Sequence, residues 1–235
     1  WIPRIPETGK YAVYVTYQTL PGSVSDAKYL VFHKGGVTEF LVNQQIGGGT
    51  WVYLGTFEFD KGTNDYGMVV LSNESRQKGV VCADAVRFGG GMGNILRGGK
   101  TSGLPRYLEG ARYAAQWSGF PYPVYSPSEG KNDYTDDINA RSRIINYLSG
   151  NSVYNPKEKG LGVPFEMTLG VHSDAGFSKE DDLVGTLGIY TTDYNNGELN
   201  AGISRYASRD LADMVLTGLQ LSLIHISEPT RRSYI

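Results

Sequence analysis

The stretch MTLGVHSDAG, Met167 to Gly176, puts an imidazole where side chains do chemistry: an apolar run ends, His172 follows, then Ser173, Asp174 and two small residues. An apolar run bounded by small and polar residues predicts a buried strand, and ligands of open α/β sheets gather beyond the ends of such strands. His172 is therefore placed as a metal ligand or a proton-transfer group, with a hydrogen-bonded structural histidine as the alternative. The chain has three histidines, and His33 and His225 sit in contexts without that geometry. A nucleophilic triad of Ser173, His172 and Asp174 is excluded, because neighbours on a strand point to opposite faces.

Other reactive groups are few. Asp133, Asp136 and Asp137 are close enough to hold calcium but lack the loop spacing of an EF-hand, so they read as the solvated start of a helix. Cys82, the single cysteine, excludes an intrachain disulfide and a cysteine-based zinc site; its setting in GVVCADAVRF reads as a small buried residue. The run GGGMGNILRGGKTSGLP, 89–105, lacks the Lys-Ser/Thr ending and the strand-to-helix context of a phosphate loop. Its glycines predict a linker instead.

The elements that must hold these groups follow from period. Up to about Phe88 the chain alternates apolar and polar residues in KYAVYVTYQT, KYLVFHKG, TEFLVNQQ, TWVYLGTFEF, YGMVVLSN and GVVCADAVRF, separated by turn clusters such as PGS, GGG and DKGTND. This pattern predicts an antiparallel β-sandwich over 1–88 with a jelly-roll or immunoglobulin-like look. After Pro105 the period becomes helical in Arg106–Ser118, and PYPVYS reads as a short strand. Asp136–Leu148 reads as a helix, followed by the His172 strand, a strand LVGTLGIYTT and a helix SRYASRDLADMVLTGLQ. Alternation of this kind predicts a second domain, 106–220, an α/β layer with a mostly parallel sheet.

Composition narrows the partners. Twenty-two basic and twenty-four acidic residues give a formal net charge of −2, so no global field favours nucleic acid or an anionic membrane. No stretch reaches the apolar length of a membrane span. Thirty-one glycines and seventeen tyrosines suit turn-rich β surfaces and sugar contacts.

The first segment resembles the carbohydrate-binding-like domain family named for golvesin and bacterial xanthan lyases. The residues that carry it run in order: WIPRIPETGKYAVYVTY, the HKGG turn at His33–Gly36, VNQQ at Val42–Gln45, GGTWVYLGTFEF at Gly48–Phe59, and GVVCADAVRF. The resemblance implies a β-sandwich that accompanies enzymes acting on polysaccharides or cell-surface polymers. Core and cross-strand packing accounts for most of its aromatics, Trp51 and Tyr53 among them.

The second segment looks like a partial zinc-dependent N-acetylmuramoyl-L-alanine amidase domain, the family that cuts peptidoglycan between glycan and stem peptide. Glu109 in YLEGARYAAQWSGFPYPVYS matches its ligand Glu, Arg141 in NARSRIIN its following helix, and His172 in LGVHSDAG its second His. The resemblance implies a Zn²⁺ site with Glu109 and His172 as ligands and Ser173, Asp174 and Arg141 around them. In such a site the metal polarises the scissile carbonyl and lowers the pKa of its water towards ~7. The family's first His has no counterpart before Glu109 and is either absent or upstream of Trp1, and its catalytic Glu is expected beyond Gln220. Asp174 stands where the family usually has Asn.

The tail LSLIHISEPTRRSYI, 221–235, resembles translated read-through of a sequencing adapter, which implies no function for it. The whole reads as a fragment of a bacterial cell-envelope or extracellular zinc hydrolase with a polysaccharide-binding module, its signal peptide lost with a missing beginning. A non-catalytic carbohydrate-binding or surface-adhesion protein is the alternative.

Overall fold

The structure, a computed structural model, describes residues 1–90, 93–97, 99–171 and 188–231. The alternating segments form six strands: β1 Gly9–Thr16, β2 Ala27–His33, β3 Gly36–Val42, β4 Val52–Phe59, β5 Met68–Ser72 and β6 Ala85–Phe88. They pair into two antiparallel three-stranded sheets, ordered β4-β1-β6 and β3-β2-β5. Alternation sets the faces, as in β2, where Ala27, Tyr29 and Val31 are buried while Lys28, Leu30 and Phe32 between them are half-buried. One apolar core joins both sheets, with Val13 and Val15 of β1, Phe59 of β4, Tyr29 and Val31 of β2, Val42 of β3 and Val69 of β5. Each such side chain contributes roughly 1.5–3 kcal/mol by leaving water. The β2–β3 hairpin closes with His33 opposite Gly36, whose φ of 123° a side chain would strain.

One irregularity prepares the site. The β1–β4 register shifts between Val13, paired with Gly55, and Tyr14, paired with Tyr53, so Leu54 is an extra residue in β4. Val13, Tyr14 and Val15 are then all buried. Val13 and Val15 face the core, and Tyr14 faces the opposite side of the sheet.

The helices depart from expectation in four places. The helix expected over Arg106–Ser118 is split into a 3₁₀ turn, Arg106–Leu108, and α1, Ala111–Trp117. Glu109 and Gly110 between them are extended. Asp137 presses against the position a Gly110 Cβ would take, and its Oδ1 accepts the Arg112 backbone N–H at 3.0 Å. A carboxylate from another helix thus serves an otherwise open N-terminus. PYPVYS, expected as a strand, is the short helix α2, Tyr122–Tyr125; prolines in a first turn forgo only N–H groups that have no helical partner. Helix α3 spans Asp133–Ser149, starting earlier than expected because Asn132 caps it by accepting the Thr135 N–H at 3.0 Å.

The two strands expected to form a parallel sheet both run into residues outside the described ones. Among the described residues after β6 there are helices, turns and isolated bridges but no strand. The described parts of the two expected strands, 167–171 and 188–192, lie in no ladder, and Val171 is 88% exposed. Helix α4, Tyr206–Arg231, runs beyond Gln220, where the sequence predicts its end.

The chain divides into two compact units, 1–152 with 158–164, and 153–157 with 165–235. The run 89–105 lies inside the first. In the second, Asn200 donates to the Asn155 side chain at 2.6 Å and Tyr154 to Glu166 at 3.2 Å.

Candidate functional site

On the outer face of the β4-β1-β6 sheet, Tyr14 pairs across strands with Tyr53 on one side and Arg87 on the other. The Arg87 guanidinium carbon lies 3.3 Å from the Trp117 ring centre, 4.4 Å from Trp51 and 4.6 Å from Tyr14. Its Nη1 donates to the Trp117 carbonyl at 3.0 Å, and the Trp51 N–H donates to the Ser118 carbonyl at 3.0 Å. Burial pulls the Arg87 pKa down to about 10. Arg106 stacks on Tyr53 at 3.8 Å. These cation–π contacts fasten α1 to the sheet, and they occupy ring faces that a sugar would otherwise use. Only Tyr53, 41% exposed, keeps a sizeable open surface in this cluster.

A cavity of about 430 Å³ opens between Leu96, Arg97 and Lys100 and helices α1, α2 and α3. Arg112, 3% exposed, reaches into its wall from α1. Its Nη2 lies 3.5 Å from Asp136 Oδ2, and its Nη1 pairs closely with Asp133. Asp136 is fully buried and accepts from the Ser128 N–H at 2.7 Å, the Ser128 hydroxyl at 2.5 Å and the Gly130 N–H at 3.2 Å. Burial raises its pKa, but those three donors outweigh burial and hold the carboxyl below its ordinary range. The Ser126 hydroxyl oxygen accepts from Arg97 Nη2 at 2.6 Å and Arg112 Nη2 at 3.3 Å. Tyr113 and Tyr125 flank Arg97 at 5.3 and 5.4 Å. Burial lowers the Arg97 pKa and raises that of Tyr125. Arg97 Nη1, Arg112 Nε and Gln116 Oε1 are buried and have no hydrogen-bond partner among the described residues.

Of the residues singled out by sequence, Glu109 lies at the junction before α1. One of its oxygens accepts the Ser102 hydroxyl, and the other is buried without a partner among the described residues. It borders a recess of about 380 Å³ with Asp133 and Asp137. Arg141 stands exposed on α3, 3.2 Å from Asp137 one turn earlier. His172, Ser173 and Asp174 lie outside the described residues, as does any meeting of His172 with Glu109. Among the described residues no group of three or more His, Cys, Asp or Glu side chains is placed to hold a metal ion.

His33 is spent in its turn, within 3.0 Å of the Thr38 hydroxyl and accepting the Gly35 N–H at 3.1 Å. Asp136 is the buried anchor of α3, a correction to a solvated helix start. Sequence reasoning missed Arg87, Arg97 and Arg112. Their only signal was a cation inside an apolar or glycine-rich context.

Residues 1–90 match the family model described as the Golvesin C-terminal domain. The xanthan lyase of Bacillus sp. (strain GL1) is 35% identical over 88 residues, which cover 37% of this chain and 9% of that protein. The solved structure of a Paenibacillus xanthan lyase is 33% identical over 37% of this chain and 8% of its own, with a TM-score of 0.35. The chain thus spans about a tenth of the relative it matches, and the matched stretch is the six-stranded region.

Proposed function

We propose that residues 1–90 are a polysaccharide-binding module of a protein that works at the cell surface or outside the cell. The observation that carries the reading is the 88-residue likeness to a lyase named for a polysaccharide, of which those residues are only 9%. A segment that makes up under a tenth of that enzyme is read as a recognition module rather than as its catalytic machinery. The polymer is peptidoglycan or another polysaccharide. The test is depletion of the full chain from solution by insoluble xanthan, peptidoglycan and cellulose, measured against cross-linked agarose. Retention on at least one polymer is expected, and loss of none to any of them overturns the reading.

A second reading makes the remainder a zinc-dependent amidase acting on peptidoglycan, with Glu109 and His172 as ligands and Ser173, Asp174 and Arg141 nearby. What favours it is the Glu109 carboxylate, which has one oxygen without a partner beside a recess. Equilibrium dialysis of the chain against zinc, with Glu109→Gln and His172→Ala, tests it. Zinc uptake unchanged by both substitutions excludes this site.

A further inference from the structure

We propose that the cavity between Leu96, Arg97 and Lys100 and helices α1–α3 binds a carboxylate-bearing sugar ring of the uronate class. The inference stands apart from the polysaccharide reading of residues 1–90, because every residue it uses lies beyond them.

Charge comes first. Arg97, Lys100 and Arg112 line or enter the cavity, and Asp133 and Asp136 answer them. Both carboxylates pair with Arg112, whereas Arg97 has no carboxylate within ion-pair distance among the described residues. Three cations against two carboxylates leave one net positive charge around the cavity, enough for a monoanion. A planar guanidinium with a spare N–H suits a carboxylate, which accepts two parallel hydrogen bonds.

Geometry adds the rest. Arg97 Nη1 and Arg112 Nε are two buried donors in search of acceptors, and Gln116 Oε1 is a buried acceptor in search of a donor. Leaving such groups unpaired is costly, so the site is complementary to a ligand that brings both a carboxylate and hydroxyl groups. An aromatic acid lacks the hydroxyls, and a neutral sugar lacks the carboxylate. Tyr113, Tyr122 and Tyr125 line the same space with rings on which a pyranose can pack. A volume of about 430 Å³ falls within the usual range for small-ligand sites. The ring could arrive as a free sugar acid or as a residue of a glycan.

The experiment is calorimetric titration of the full chain with D-glucuronate, D-glucose, benzoate and inorganic phosphate, followed by a uronate-containing oligosaccharide. Glucuronate is expected to bind more tightly than the other three small probes. Arg97→Gln is expected to weaken it about tenfold, the loss of one charge-assisted contact. Gln116→Glu adds a negative charge to the cavity lining and should weaken glucuronate with thermal melting preserved. If Arg97→Gln lowers the melting temperature, Arg97→Lys keeps the charge without the planar fork and should still weaken glucuronate. Tighter binding of the oligosaccharide than of the free acid identifies a glycan residue as the source, and the reverse identifies the free acid. The inference falls if glucuronate binds no better than glucose, if phosphate or benzoate binds better, or if Arg97→Gln and Gln116→Glu leave its affinity unchanged. Failure of the polymer depletion assay with success here would remove the module reading and keep this one.

Discussion

Gln44 is the residue whose replacement should cost the β-rich region most for the least change in volume. It is fully buried, yet its side chain satisfies three groups. Nε2 donates to the Tyr29 hydroxyl at 3.2 Å and to the Cys82 carbonyl at 2.9 Å, and Oε1 accepts the Cys82 N–H at 2.8 Å. The amide thus imitates a strand neighbour and ties the segment before β6 to the core. Gln44→Leu keeps the bulk but strands those three groups, at about 1–1.5 kcal/mol each when water reaches them in part. The added apolar burial returns about 1–2 kcal/mol, leaving a net loss of about 2–3 kcal/mol. All three tryptophans, Trp1, Trp51 and Trp117, belong to the first compact unit, so their fluorescence in urea reports its unfolding. With a slope of about 2 kcal/mol per molar, the midpoint should fall by about 1–1.5 M. Tyr29→Phe removes only one of the three bonds and should cost about 1 kcal/mol. In the double variant the losses should fall short of additive, because both substitutions break the same contact. A midpoint shift below about 0.3 M for Gln44→Leu, with the slope unchanged, would refute the bracing role.

Arg87→Lys keeps the charge but loses the flat ring contacts and the bond to the Trp117 carbonyl, and should destabilise by about 1–2 kcal/mol, whereas Arg87→Met removes the cation as well and should cost more; urea unfolding ranks the two, and the opposite order refutes the cation–π account. Asp136→Asn leaves Arg112 without its buried carboxylate and should cost about 3 kcal/mol, read as a fall in thermal midpoint. Because the folded Asp136 pKa is depressed, its contribution is present above the ordinary carboxylate range and fades as pH falls through the folded value, so the wild type should lose more stability on acidification than the Asn variant. Tyr17 and Tyr29 have folded pKa values pushed up to about 12, mainly by burial. Between pH 10 and 12 the unfolded chain sheds protons that the folded chain keeps, so stability should fall across that window, with phenolate absorbance rising together with unfolding. A rise in phenolate absorbance equal to full ionisation while the fold persists would contradict the burial of both rings.

The six strands were legible because each buries one face, and a period of two is the direct record of that. The pattern also hid something. In β1, Val13, Tyr14 and Val15 obey the alternation, yet Tyr14 is as buried as its neighbours, because Trp117 of a helix a hundred residues away covers the outer face. Nothing local marks that contact. The break at Glu109–Gly110 was equally illegible: it depends on Asp137 arriving from α3, a tertiary contact that overrides a helical period. The apolar runs at 167–171 and 188–192 form no strand among the described residues, and a strand is defined by its partner as much as by its own residues.

The same division governs the chemistry. Glu109, Arg141 and His172 were found because a motif is a local object. The cavity is not local: Arg97 comes from a glycine-rich run, Arg112 from α1 and Ser126 from the end of α2, and the two arginines meet on one hydroxyl oxygen. Each of the three is unremarked in its own segment, and only their convergence leaves buried N–H groups without acceptors. A search by motif therefore weights this chain towards metal-ligating acids and imidazoles, while the described side chains gather guanidinium groups and phenol rings. Those two sets of groups favour ligands of opposite charge, so the response of the full chain to a small organic anion, set beside its response to zinc, separates them.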